Sequence, residues 1–298
     1  MTENYKSGFA AIIGMPNVGK STLLNKIAGQ KVAIVSPKPQ TTRNKILAIH
    51  TTDSCQVVFT DTPGIHRPRT KLGEYMVKQA KESMSETDIL IFVVDATRAM
   101  SEMEKEIAEN IGRIGLPSIL VINKADAVKK ELLLPIIAEY ASLHDFDAVL
   151  PISAKMGDGV DLLMAEIEKY LEEGPQFYYE DMVTDQPEKQ IAAEIIREKL
   201  LRLLDQEVPH GIAVEIESMK EKETITDIHA VIYCEKQSHK GIIIGKNGEM
   251  LKKIGKYARA DIEEMLDKQV YLELWVRVKD DWRNSERMMK NFGYDSKM

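Results

Sequence analysis

Five short apolar runs mark the first half of the chain: Phe9–Ile13, Gln56–Thr60, Ile89–Asp95, Ser118–Asn123 and Ala148–Ile152. Most lack strict apolar–polar alternation, which predicts strands buried on both faces of a parallel sheet. Between them apolar residues return at helical spacing, as in Lys71–Ser83 and Met103–Ile114. The alternation predicts a doubly wound α/β domain over residues 1–173, with ligands at the carboxyl ends of its strands. Residues 174–187 contain two prolines, Tyr178–Tyr179 and several acids without any period, and are predicted to be a linker. A smaller α+β domain is predicted over residues 188–298. It starts with an amphipathic helix from Glu188 to Asp205, followed by strands Ile212–Met219 and Thr224–Glu235. A glycine-interrupted helical pair, a strand Val270–Lys279 and a short helix from Trp282 complete the order α-β-β-α-α-β.

The strongest chemical signal lies where the first predicted strand gives way to a helix. Gly14-Met-Pro-Asn-Val-Gly-Lys-Ser21 matches the phosphate-binding loop pattern, in which glycines let backbone N–H groups wrap phosphates at a helix N-terminus. Gly14, Asn17, Val18, Gly19, Lys20, Ser21 and Thr22 are the expected phosphate-binding residues, with Lys20 reaching the β- and γ-phosphates and Ser21 ligating magnesium. Three further motifs follow, each at a strand end. Asp61-Thr-Pro-Gly64 would place a carboxylate near the magnesium and the Gly64 amide near the γ-phosphate. Asn123-Lys124-Ala-Asp126 carries a carboxylate able to accept from N1–H and the 2-amino group of guanine, a pair of donors adenine lacks. Ser153-Ala154-Lys155 offers the Ala154 amide to guanine O6. Together the four segments indicate GTP/GDP and Mg2+, in a P-loop GTPase sheet.

In Ser36-Pro-Lys-Pro-Gln-Thr-Thr-Arg43, Thr42 is the expected magnesium ligand in the γ-phosphate state, with Thr41 the alternative. Ile65 stands where a water-orienting glutamine is found in Ras-like proteins, so hydrolysis should be slow or depend on another group. Asn17 could hold K+ in the P-loop and so supply the missing positive charge.

In the second domain, Gly241-Ile242-Ile243-Ile244-Gly245-Lys246-Asn247-Gly248 precedes a helix with an apolar face. The segment from Lys236 to Arg259 carries a net charge of +6 within a chain of net charge −7. Gly245–Gly248 is a GXXG turn of the kind KH domains use to clamp single-stranded nucleic acid. Residues 241–248 together with Lys252 and Lys253 are therefore the expected RNA contacts, with bases lying on Ile242–Ile244.

Composition adds little beyond limits. The 298 residues suit about two domains. No run nears the roughly 18 apolar residues that cross a bilayer, and no signal-peptide pattern opens the chain, so a cytoplasmic protein is expected. Cys55 and Cys234 stand apart and read as reduced, buried thiols. The six histidines have no Cys or Ser partner that would suggest a nucleophile.

With these motifs, and with Gln40-Thr-Thr-Arg43, Glu194-Ile-Ile-Arg-Glu-Lys199, His239–Gly248 and Asp281-Trp-Arg-Asn284, the chain resembles the Era family over residues 6–295. The resemblance implies a factor assisting maturation of the small ribosomal subunit, bound to a single-stranded segment near the 3′ end of its ribosomal RNA. It also implies peripheral association with the inner face of the cell membrane. A scaffold using a KH-like fold for protein contacts is the competing class. A GTPase directed at tRNA or the large subunit is the runner-up among enzymes.

Overall fold

The computed structural model describes residues 5–294, so the expected domain limits at residues 1 and 298 lie outside it. The chain divides into two units. The first comprises the chain up to Ala33, Thr42–Arg67 and Met76–Asp185; the second takes Ile34–Thr41, Pro68–Tyr75 and everything from Gln186.

The first unit runs β1 (Lys6–Ile13), α1 (Lys20–Ala28), β2 (Ile46–Thr51), β3 (Cys55–Asp61), α2 (Lys71–Ser85, whose residues 71–75 belong to the second unit), β4 (Ile89–Asp95), α3 (Glu102–Ile114), β5 (Ser118–Asn123), α4 (Leu133–Ala141), β6 (Ala148–Pro151), α5 (Val160–Glu168) and β7 (Glu172–Glu173). Its strands lie in the order β2-β3-β1-β4-β5-β6, with β7 paired antiparallel to β1. Every residue of β3, β4 and β5 is buried, as their largely apolar runs without strict alternation predict. Alternate side chains serve opposite layers. Ala10, Ile12, Ile89 and Ile91 enter one core, and Ala11, Ile13, Leu90 and Phe92 enter the other.

Two features differ from the sequence reading. β2 was not anticipated, and it pairs antiparallel with β3, so the sheet is mixed at that edge. Residues 174–185 are ordered against the first unit: Gln56 Oε1 accepts from the amides of Phe177 (2.8 Å) and Tyr178 (3.0 Å). Farther along, the Val183 carbonyl accepts from Ile49 N (2.8 Å) and Thr184 Oγ1 donates to Leu47 O (2.7 Å). The stretch lacks a period because it pairs irregularly, through one glutamine and isolated bonds.

The second unit contains α6 (Glu188–Leu203), β8 (Ala213–Glu221), β9 (Ile225–Cys234), α7 (Gln237–Ile244), α8 (Glu249–Leu266), β10 (Gln269–Val278) and α9 (Glu286–Asn291). β8 and β9 form a bulged antiparallel hairpin, and β10 adds parallel to β9. Ile195, Ile196, Leu200, Ile228, Ile232, Ile254 and Ile262 form its core. Trp282, fully buried, opens a 3-10 turn before α9 and donates from Nε1 to Gly211 O (2.9 Å).

Candidate functional site

The loop between β1 and α1 turns on backbone conformations that favour glycine. Gly14 has φ +149° and Gly19 φ +104°, and a Cβ on either would strike the Val93 carbonyl at 2.3 Å or Asn123 Nδ2 at 2.2 Å. Asn17 also adopts a left-handed conformation, φ +66°. Val18 is wholly buried within the loop, and Lys20, Ser21 and Thr22 begin α1. Lys20 is buried and donates from Nζ to the carbonyls of Gly14 (3.1 Å) and Met15 (3.0 Å). Burial pulls its pKa down to about 8, with the Asp61 carboxylate opposing that shift.

Three oxygen-bearing side chains meet beside this lysine. Ser21 Oγ donates to Asp61 Oδ2 (2.6 Å), Thr42 Oγ1 donates to the same oxygen (3.2 Å), and the two hydroxyl oxygens lie 3.0 Å apart. Among the described residues, Asp61 Oδ1 is buried without a hydrogen-bond partner. Burial raises the Asp61 pKa while Lys20, Ser21 and Thr42 lower it. An orphaned, buried carboxylate oxygen beside two hydroxyls is a hard oxygen donor set, and it suits Mg2+. Of the two candidate threonines, Thr42 is the one at this cluster. The Thr41 hydroxyl donates instead to Lys38 O (2.6 Å).

Gly64 passes directly against the loop. A Cβ there would sit 2.8 Å from Pro16 N, Cα and Cγ alike. The next amide, Ile65 N, donates to Gly14 O (3.2 Å), and the Ile65 side chain packs on the apolar layer.

At the base-binding end, Asn123 is 2% exposed and ties two loops together. Its Nδ2 donates to Val18 O (2.8 Å), and its Oδ1 accepts from Ala154 N (2.9 Å). The Ala154 amide, expected at guanine O6, here donates to Asn123 Oδ1. Lys124 Nζ donates to Asn17 O (3.0 Å) and to Asp95 Oδ2 (2.5 Å). Asp95 was not anticipated. It is a buried carboxylate at the end of β4, and the only sequence signal for it was its place at a strand end. Asp126 is exposed in the turn after β5, and Lys155 is also exposed, whereas Ser153 is buried and caps its own loop by accepting from Met156 N (3.2 Å).

In the second unit α7 ends at Gly245, φ +71° and ψ 174°, where a Cβ would meet Met250 Cβ at 2.7 Å. Asn247 and Gly248 also have positive φ, and no atom of the described residues lies within 4 Å of a Cβ on Gly248 or Gly241. The expected apolar platform is only partly present. Ile242 is exposed and Ile244 half-buried, but Ile243 is fully buried in the core and can touch no base. Three identical residues on a helix point about 100° apart, so one of them must face inward. Lys246, Lys252 and Lys253 reach solvent at or after the turn. From Gly248 a groove runs between α8 and the edge strand β10, lined by Lys252, Gly255, Lys256, Arg259 and Tyr271 among others. The last four were missed. Their i, i+3 and i+4 spacing after Gly248 was the available signal for the helix side, whereas Tyr271 needed the strand to be placed.

Comparison with known proteins agrees with this geometry. Residues 9–124 match the family model of a 50S ribosome-binding GTPase, and residues 207–283 match that of a KH domain. GTPase Era of Ruminiclostridium cellulolyticum is 56% identical over 98% of both chains. GTPase Era of Clostridioides difficile is 52% identical over 98% of this chain and 100% of its own. Among solved structures, Era in complex with MgGDPNP and nucleotides 1506–1542 of 16S ribosomal RNA superposes with a TM-score of 0.94 at 43% identity, covering 97% of this chain and 99% of that one. A variant of Aquifex aeolicus Era bound to GDP and aluminium fluoride gives 0.94 at 44% identity over the same shares.

Proposed function

Because the chain belongs to the Era family of GTPases, we propose that it is a GTP-timed switch that binds single-stranded RNA near the 3′ end of the small-subunit ribosomal RNA and assists maturation of the small ribosomal subunit. The observation that carries this reading is the presence on one chain of the Ser21–Thr42–Asp61 cluster and of a bare glycine turn opening on a basic groove. Nucleotide chemistry falls to residues 1–173 and RNA binding to residues 188–298, joined by 174–187.

In the nucleotide site Lys20 would exchange its two loop carbonyls for phosphate oxygens. Ser21, Thr42 and Asp61 would hold Mg2+, which supplies positive charge against the β- and γ-phosphates. Gly64 presents backbone without a side chain where the γ-phosphate must fit. Asp126, exposed and ready to accept, reads the guanine edge, and Asn123 with Lys124 fixes the loops around it. Ile65, packed on the apolar layer, cannot orient water. K+ at Asn17 accounts for the missing positive charge, and equal hydrolysis rates in potassium and sodium buffers would refute that role.

The relatives' ribosomal RNA complex supports the partner. We propose a cytoplasmic location with peripheral contact at the inner face of the cell membrane, as the resemblance implies; among the described residues no helix is long and apolar enough to cross a membrane. The reading is tested by the affinity for a short single-stranded RNA from that 3′ end, at fixed salt, with GDP or a non-hydrolysable GTP analogue bound. A several-fold difference corresponds to about 1 kcal/mol or more of coupling and supports the switch. No binding in either state overturns the RNA reading in favour of a scaffold.

A further inference from the structure

Strands β4 and β5 run parallel and end together. Asp95, the last residue of β4, is the register partner of Asn123, the last of β5, and Ala96 N donates to Asn123 O (2.9 Å). The chain leaves β5 through Lys124 at φ +62°, a left-handed conformation uncommon for a residue with a side chain. The register thus sets the Asp95 carboxylate beside the lysine that follows its partner. The Asp95 side chain is 2% exposed, and a carboxylate so buried needs partners for its charge. Its Oδ1 accepts from Thr97 N (3.0 Å) and Thr97 Oγ1 (2.7 Å). Its Oδ2 takes the Lys124 ammonium (2.5 Å) and Arg98 Nε (3.1 Å). Burial opposes the charge, but Lys124 and Thr97 outweigh it and lower the pKa, so the carboxylate stays ionised.

The same ammonium reaches the phosphate-binding loop, where it donates to Asn17 O (3.0 Å). One residue on, Val18 O accepts from Asn123 Nδ2 (2.8 Å). In a trans peptide the carbonyl and the N–H that follows it point in opposite directions. With the Asn17 carbonyl turned to Lys124 and the Val18 carbonyl turned to Asn123, the N–H groups of Val18 and Gly19 point away from that segment. They face the side of the loop on which phosphates are expected, as successive amides of an anion-binding turn do. Asn17 is exposed and left-handed, φ +66°, so its own conformational preference does not hold this peptide in place. Asn123 is short, and both ends of its amide are used. Lys124 instead carries its charge on a flexible four-carbon stem. It keeps that charge at one carbonyl only if a fixed partner holds it there, and Asp95 is that partner.

We propose that Asp95 is a positioning residue for the bound nucleotide: it holds the Lys124 ammonium against Asn17 O and so keeps the Val18 amide aimed at the phosphates. A carboxylate outside the four guanine-nucleotide segments thereby sets how long the nucleotide stays, without touching it. The inference rests on the reading of Gly14–Ser21 as the phosphate loop.

The test uses the full chain with Asp95→Asn, Lys124→Met, the two combined, and Arg98→Ala. Binding and release of fluorescently labelled GDP and of a labelled non-hydrolysable GTP analogue are followed by stopped flow. Asp95→Asn keeps the shape and an acceptor for Thr97 but removes the charge that holds the ammonium. GDP release should quicken by about tenfold or more, the scale of one charge-assisted hydrogen bond. The GTP analogue should weaken alike, with association within about twofold of the parent. Lys124→Met should lose at least as much. Because Asp95 acts through Lys124, adding Asp95→Asn to Lys124→Met should cost less than about twofold more, a coupling that a general loosening of the fold does not produce. Arg98 is half exposed, so Arg98→Ala should stay within about twofold of the parent. Release at the parent rate in Asp95→Asn or in Lys124→Met overturns the proposal. So do effects that multiply in the double variant, because the carboxylate then acts by another route. Arg98→Ala as fast as Asp95→Asn overturns it too, since the charge balance around the carboxylate would then be what counts. Lys20→Ala is run alongside; parent-like GDP binding by that variant would instead remove the phosphate-loop reading, and the proposal with it.

Discussion

The two glycines that bound the turn between α7 and α8 should separate when replaced. Gly245 lies at φ +71°, ψ 174°, a region essentially reserved for glycine, and costs of order 1–3 kcal/mol for any other residue. A Cβ there would also sit 2.7 Å from Met250 Cβ and 3.0 Å from Met250 N, both on the stiff first turn of α8. Gly245→Ala should therefore destabilise the second unit by about 3 kcal/mol, or about 10–20 °C in its midpoint at the usual scaling for a domain near 100 residues. Gly248 differs: φ 76° and ψ 10° fall in the left-handed helical region, and a Cβ would meet no atom of the described residues within 4 Å. Asparagine tolerates that region, so Gly248→Asn should cost under about 1 kcal/mol. The open space beside Gly248 is the approach a phosphate needs, and a side chain there blocks it. Loss of one amide–phosphate bond, worth about 1.5–3 kcal/mol, predicts at least about tenfold weaker RNA binding. Unfolding of the intact chain followed by fluorescence, with RNA affinity by anisotropy, separates the two effects. The reasoning fails if Gly245→Ala is as stable as the parent, or if Gly248→Asn binds RNA within about twofold of it.

Three further outcomes follow from the nucleotide site. Gly64→Ala must displace Pro16, whose N, Cα and Cγ all lie 2.8 Å from the new carbon. Hydrolysis should fall about 10–100-fold with GDP affinity little changed, and a parent-like rate in single turnover would contradict the contact. Asn123→Ala strands the Val18 carbonyl and the Ala154 amide, both buried, at about 1–3 kcal/mol each. A melting temperature lowered by about 5–10 °C and weaker binding of GDP and GTP alike are expected; calorimetry showing neither would refute that linkage. Asp126→Asn should weaken GTP and favour a xanthosine nucleotide, and unchanged guanine selectivity in a competition assay would overturn the assignment of Asp126.

Much of the nucleotide site was legible because each motif is contiguous. Gly14 to Ser21 folds on itself, and the carboxylates of Asp61 and Asp126 stand beside recognisable strand ends. The antiparallel strand Ile46–Thr51 was not legible. It lies at the edge, its burial does not alternate cleanly, and its pairing with β3 across a short turn decides its state. The run Ile242–Ile244 left open which isoleucine turns inward, and only packing against the core selects Ile243. Tyr271 could join the groove only once β10 had added to β9.

By itself, then, the sequence determined most of the order of elements, the guanine-nucleotide segments, and the choice of a P-loop sheet and a KH module. These are local properties, set by periodicity and by backbone turns of a few residues. Tertiary structure decided which hydroxyl, Thr42 or Thr41, joins Ser21 and Asp61. It placed Asp95 under Lys124 and buried Arg197, Glu198 and Lys199. The Arg197 guanidinium and the Thr41 carbonyl lie 156 residues apart in sequence. No local pattern encodes such a contact, because burying a charge requires partners that only the folded chain can bring to it.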